Sequence, residues 1–331
     1  MNVGRLAILA ALTAVSSIPA RDIFVDNSTG DDRFGGQSLQ IFTGLQGPVR
    51  SLQKAVRLAR PGDRIVVNPT GVAFREEVVI NGVGRENPTA EYPIVIEGNG
   101  AVLDGLVAVD PMFARHVGDG LYIFETTLGP THTSDRLFID GRPAPRGAGR
   151  WADGRPILNP GEFAVWNGRH CYQTAPTDFI DRHVFAMSRL NVGLTIYRSN
   201  FWIVRNLTIQ GYRLDGVRVQ GPVEGDLFQY CRFIANGRSG FAGQGLAEGG
   251  VADSEALGNG KAGIVGRNLA RFELARVRAA GSPTPIDLDL TTDVHVTPGE
   301  PQAPAAPSQR RGPPVPSERP SRNPAPKNDD L

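Results

Sequence analysis

Asp215-Gly216-Val217-Arg218-Val219-Gln220 returns as Ser239-Gly240-Phe241-Ala242-Gly243-Gln244 and again as Ala262-Gly263-Ile264-Val265-Gly266-Arg267. A weaker copy follows, Thr284-Pro285-Ile286-Asp287-Leu288-Asp289. The steps between Gly216, Gly240, Gly263 and Pro285 are 24, 23 and 22 residues. A near-constant period in this range marks a solenoid. Each period holds short β-branched and apolar runs broken by Gly and Asn, which read as strands rather than helices. Several short strands per repeat give a parallel β-helix. Alternate residues of a strand face opposite sides, so Val217/Val219, Phe241/Gly243, Ile264/Gly266 and Ile286/Leu288 should point inward. They should stack at the inter-strand spacing of about 4.8 Å. Gly211, Gly221, Gly237, Gly245 and Gly260 mark sharp corners. Asn206, Asn236 and Asn259 are expected near the same corners, where Asn tolerates the left-handed conformation and bonds the backbone.

The totals agree with this architecture. The chain has 331 residues with 40 Gly, 26 Pro and 7% aromatics, so many turns and little helix are expected. Net charge is +1, and without residues 1–20, whose only charge is Arg5, basic and acidic residues balance at 34 each. That balance gives no argument for nucleic-acid binding. Cys171 and Cys231 do not make a disulfide framework. Export leaves room for one bridge between them. Cys231 falls inside a coil and reads first as a small buried apolar residue.

Residues 1–20 read as a secretory signal: Arg5, an apolar run over 6–15, then Ser16-Ser17-Ile18-Pro19-Ala20 with cleavage after Ala20. The run is too short for a membrane span. The mature protein is therefore expected to be secreted or periplasmic, and monomeric. Residues 48–60 form the one clear helix, with Ser51 as N-cap, Leu52, Ala55, Val56 and Ala59 as the apolar face, and Pro61-Gly62 as the stop. It should cover the open end of the solenoid. In the loop before it, Asp26, Asp31 and Asp32 suit Asx turns, with Ca²⁺ binding as the alternative.

Phe24-Val25-Asp26, Gly30-Asp31-Asp32, Gly47-Pro48, Ser51-Leu52 and Pro61-Gly62-Asp63 resemble the opening of secreted right-handed parallel β-helix proteins of the pectate-lyase-like superfamily. Ile65-Val66-Val67, Val78-Val79-Ile80 and Pro93-Ile94-Val95-Ile96 continue the likeness, which covers 22–106 and 195–296. It implies a single-stranded right-handed parallel β-helix and leaves the chemistry open, because one fold hosts many functions. Residues 107–190 break the coil period. Strand-like pieces at 120–125, 136–139, 163–166 and 184–187, around a Gly-, Pro- and Arg-rich loop at 141–160, predict an inserted antiparallel subdomain. In similar proteins such insertions wall a substrate cleft, which makes Trp151 and Trp166 candidate sugar platforms. The helix domain is expected over 21–297. From 298 onward ten of the last 34 residues are Pro, a composition that supports no core.

Equivalent positions of successive coils form surface columns about 5 Å apart. Arg213, Arg238 and Lys261 stand three, two and two residues before Gly216, Gly240 and Gly263. Stacked cations repel unless an anion bridges them. An acidic polysaccharide is such an anion, and in pectate-lyase-like enzymes a Lys or Arg is the base of a β-elimination. Lys261 and Arg238 are the candidate catalytic pair, with Arg213, Arg218, Asp215 and Trp151 as substrate contacts. A second column, Glu224, Glu248 and Arg271, offers an alternative acid pair near the separation used by retaining glycosidases. The third reading is a non-catalytic polysaccharide-binding or envelope β-helix protein. It is favoured by the lack of the paired acids of polygalacturonases and the Asp cluster of calcium-dependent lyases. The five His show no metal-ligand spacing, and no phosphate loop, dinucleotide fingerprint or nucleophile elbow is present. No cofactor is implied beyond Ca²⁺.

Overall fold

A computed structural model describes residues 21–42, 44–125, 132–288, 293–297, 299 and 301. The expected signal segment, Asp289 and the Pro-rich tail, apart from 299 and 301, lie outside the described residues. Three parallel sheets make the wall of a β-helix. The first sheet runs Asp22–Val25, Arg64–Val67, Ile94–Glu97, Trp202–Arg205, Val223–Gln229, Ala247–Ala252, Arg271–Ala275 and Asp293–Thr297. The second runs Val78–Asn81, Val192–Tyr197, Asp215–Gln220, Ser239–Gln244, Ala262–Arg267 and Thr284–Leu288. The third runs Val102–Asp104, Thr208–Gln210, Arg232–Ile234, Glu255–Leu257 and Arg278–Ala280. From Val78 onward the solenoid strands follow the order second, first and third sheet.

The register is the one the repeat predicts: Val217 pairs with Phe241, Phe241 with Ile264, and Ile264 with Ile286. The first three are buried, and Phe241 meets Phe228 and Phe272 edge-on in a continuous core. Gly243 is inward and small for a reason: a Cβ there would stand 1.9 Å from the Phe272 ring. Ile286 and Leu288 keep the register but remain 37% and 39% exposed. In the second sheet theirs is the terminal strand, so stacking covers only one of their sides.

The corner asparagines divide between two corners rather than sharing one. Asn236 and Asn259 are buried and bond one another, Asn236 Nδ2 donating to Asn259 Oδ1 at 3.1 Å. Asn206, with φ +52°, belongs to the corner between the first and third sheets, where Asn99, Tyr230, Asp253 and Arg276 also take positive φ.

The capping helix is Leu52–Leu58, shorter than the apolar pattern suggests. Val49 bridges Val25 as extended chain, and Ala59 is already extended at ψ 142°. Ser51 caps the start by accepting from the Lys54 N–H, and the half-buried Glu76 carboxylate accepts from the Leu52 and Gln53 N–H groups. Arg85 closes the other end on the Val56 and Ala59 carbonyls. Asp26 accepts from the backbone of Ser28 and Thr29, Asp31 holds Arg33, and Asp32 accepts from the Arg50 and Ser51 N–H groups.

The insertion leaves after Asp104 and returns at Val192. One antiparallel sheet orders Arg142–Pro143, Leu137–Ile139, Phe185–Ser188 and Leu106–Val109; another orders Phe163–Trp166, Arg169–Gln173, Leu121–Phe124 and Ala114–Gly118. Phe124, Leu137, Phe163, Phe185 and Met187 give it a core of its own, while Leu106 and Phe138 pack on Ala235 of the solenoid. Cys171 lies buried in the insertion and Cys231 buried in the solenoid; both are free thiols, so the bridge that export would permit is not formed. Burial pushes the two thiols up to about 11 and about 12 respectively.

Candidate functional site

The corner that feeds the second sheet decides which charges meet. The Lys261 N–H bonds the Arg238 carbonyl, and the Arg238 N–H bonds the Leu214 carbonyl. Arg238 and Lys261 are thus direct vertical neighbours. Arg213 is not in their column: it stacks beside Gly237, one place upstream, because its turn is one residue longer. There it serves the insertion, its Nε donating to Asp135 Oδ1 at 2.6 Å. Asp135 is fully buried. Burial works to raise its carboxyl, but His170, the His132 backbone and the Arg213 charge hold it below its ordinary value. The arm around Asp135 sits hard against the corner: a Cβ on Gly237 would stand 2.0 Å from the Ser134 carbonyl oxygen.

Asp215 organises the outer face. Its carboxylate is 0% exposed and takes two guanidiniums: Arg218 through Nε and Nη2 at 3.1 and 2.8 Å, and Arg238 through Nε and Nη2 at 2.9 and 2.5 Å. Such forked pairs fix direction as well as charge. The Asp215 bond raises the Arg238 guanidinium further, against the opposing effect of burial. Next to them lies a floor of small side chains, Ala242, Ala262 and Val265. Beyond it Arg267 pairs with Asp287. Lys261 is exposed and its ammonium makes no ion pair among the described residues. The face therefore presents oriented guanidiniums, an ammonium without an ion pair among the described residues and a small apolar floor, an arrangement able to receive anions.

Each of the two alternative acids has a local role in the sheet. Glu224 sits in a bulge, where the register shifts between Val223 and Asp226 and Gly225 takes φ +72°. Glu248 is directly opposite Arg271 and is bound by it at 3.0 Å. Trp151 is 51% exposed on a hairpin of the insertion, Trp151–Ala152 against Arg155–Pro156. Trp166 packs against the insertion's inner cluster. The sequence reading missed Asp135, His170 and Arg136, which reach the corner from the insertion. Nothing periodic marks them, because the insertion has no repeat.

The fold defines the class: a parallel β-helix with a charged outer sheet face. No protein-family model matches the chain, and no curated protein does. Among solved structures it is similar to a protein described as a glycoside hydrolase, with 11% identity and a TM-score of 0.54 over 79% of this chain and 74% of that one. It is more distantly similar to XylC, solved in complex with xylose, with 11% identity and a TM-score of 0.41 over 83% and 66%. It also matches the periplasmic alginate epimerase AlgG, with 16% identity and a TM-score of 0.25 over 33% and 31%. The first likeness shows a shared fold; the other two are too slight to carry an argument.

Proposed function

We propose that this chain is an exported carbohydrate-active β-helix protein that binds an acidic polysaccharide along the outer face of its second sheet and breaks it by β-elimination. The observation that carries this reading is the buried Asp215 carboxylate aiming Arg218 and Arg238 side by side, with unpaired Lys261 on the next rung. Elimination from a uronate needs a cation on the carboxylate and a base at the neighbouring C–H. Arg238 suits the first role and Lys261 the second; they are one rung apart, about 4.8 Å. The resemblance of 22–106 and 195–296 to pectate-lyase-like proteins agrees with the fold that carries this face and leaves its chemistry open. A hydrolase built on Glu224 and Glu248 has less support, since one is on a bulge and the other is engaged by Arg271.

The test is to incubate the protein with a panel of polyuronates and follow ultraviolet absorbance of the unsaturated product, with and without Ca²⁺. Absorbance should rise, and Lys261→Ala should lower the rate about 10²-fold or more while leaving the melting temperature unchanged. Reducing ends without that absorbance would replace the lyase with a hydrolase. Binding without product would leave a non-catalytic module.

A further inference from the structure

At the opposite end of the second sheet, where its strands turn into the first sheet, lies a cavity of about 400 Å³ lined by Gly82, Val83, Asn87, Arg198, Asn200 and Pro222. It comes from the corners of three successive rungs. Backbone bonds run up this corner from Gly82 to Tyr197, Arg198 to Gln220, Gly221 to Gln244 and Gly245 to Arg267. The next rungs fill the corner position with Gly221 (φ +94°), Gly245 (φ +71°) and Asn268 (φ +56°), residues suited to the left-handed region. On one rung an arginine stands there, Arg198, at φ +52°. Gly82 is needed beside it, because a Cβ at 82 would lie 1.9 Å from the Arg198 carbonyl oxygen. Elsewhere in the molecule an arginine in the same strained state, Arg276 at φ +53°, has its guanidinium forked on Asp253. The guanidinium of Arg198 is exposed and has no partner among the described residues. Strain kept at a position without an internal use points to an external one.

The other groups say what would fill the cavity. The amide oxygen of Asn87 already accepts from the Ser199 hydroxyl, and that of Asn200 accepts from the Glu224 N–H. Their NH₂ groups remain, so the lining side chains offer donors: two amides and a guanidinium, with no carboxylate among them. Val83, 58% exposed, and Pro222 add apolar surface. Donors that select an anion, beside apolar surface for ring C–H groups, suit one acidic sugar unit, and the volume falls in the range of small-molecule sites. We propose that this cavity binds a sugar carboxylate through Arg198, with Asn87 and Asn200 donating to the same unit. The site is separate from the Lys261 face, since the strand between them spans about 20 Å.

Trp202 reports on the cavity. It is buried, its Nε1 donates to the Ser199 hydroxyl at 2.8 Å, and that hydroxyl donates to Asn87. Titrating ¹⁵N-labelled protein with galacturonate should shift the Trp202 indole N–H resonance saturably, and galactose should bind at least tenfold more weakly. Arg198→Gly should remove the difference between the two sugars while the melting temperature holds or rises, because glycine is at ease at this φ. Arg198→Asn, which copies the rung of Asn268, serves if the glycine variant does not fold. Equal galacturonate binding in these variants, or equal binding of galactose, overturns the proposal. So does sodium sulfate giving the same shift at the same concentration, which would reduce the cavity to a simple anion site. None of these results depends on whether Lys261 is catalytic.

Discussion

Asp226 faces into the solenoid, and two buried aspartates of this chain therefore meet opposite fates. Asp215, turned outward, is satisfied by two guanidiniums. Asp226 accepts one bond, from the Trp202 N–H at 2.9 Å, and its second oxygen has no partner among the described residues. Burial raises its carboxyl well above the ordinary value, with that single bond opposing, which favours the protonated form in the folded chain. The folded state then binds a proton that the unfolded state releases above about pH 4, and stability falls as pH rises from there. Asp226→Asn should remove this loss, so that stability measured by denaturant unfolding falls less between pH 4 and pH 7 than in the wild type. Simple alternation from Val223 would have turned Asp226 outward. The bulge at Glu224-Gly225 reverses the alternation, and no pattern in the sequence announces it.

At the scale of the element, the glycines that first marked the repeat prove to be a ladder. A Cβ on Gly216 would stand 2.7 Å from the Gly240 carbonyl oxygen, and one on Gly240 would stand 2.7 Å from that of Gly263 and 2.8 Å from Asn259 Nδ2. The rungs stack this closely because no side chain intervenes, and the buried Asn236–Asn259 bonds lie alongside. Gly240→Ala should cost about 1–3 kcal/mol, read as a lower urea midpoint with an unchanged slope. The glycine period was plain in the sequence; its cause was not, since it lies in contacts between residues two dozen positions apart. The same distance explains the charged column. Arg238 and Lys261 kept the expected alignment, whereas the one extra residue after Arg213 turned that side chain toward Asp135.

At the scale of the whole molecule, the insertion has a core of its own and an arm packed against the corner that carries Arg238. His183 ties two of its segments: Nδ1 lies 2.7 Å from Asp140 Oδ2 and Nε2 lies 2.8 Å from Asp178 Oδ2. Hydrogen bonds to Asp140 and then Asp178 raise the imidazole above its ordinary value of 6.5. A raised value means the stabilisation is complete below about pH 6.5 and is lost as pH rises through the folded value. The carboxyls of Asp140 and Asp178 are held low, Asp140 mainly by the Val184 N–H and Asp178 mainly by His183, so their share is lost only in acid. The wild-type protein should therefore melt at lower temperature at pH 8.5 than at pH 5.5, and His183→Gln should reduce that difference. A difference unchanged by the substitution would remove the clamp.

The sequence by itself determined the solenoid. A repeated period, alternating apolar residues and corner glycines are local and additive signals, and stacking them leaves one way to bury the core. It also determined that Arg238, Lys261 and Asp215 would share a neighbourhood, because equal steps along the chain become vertical contacts. Only the tertiary structure decided which charges are satisfied and which stay open. Asp135 arrives from a segment without a repeat, a bulge at Glu224-Gly225 turns Asp226 inward, and Arg198 stands at the edge of a cavity with no partner among the described residues. Those outcomes depend on where separate segments of the chain meet, and periodicity carries no information about that.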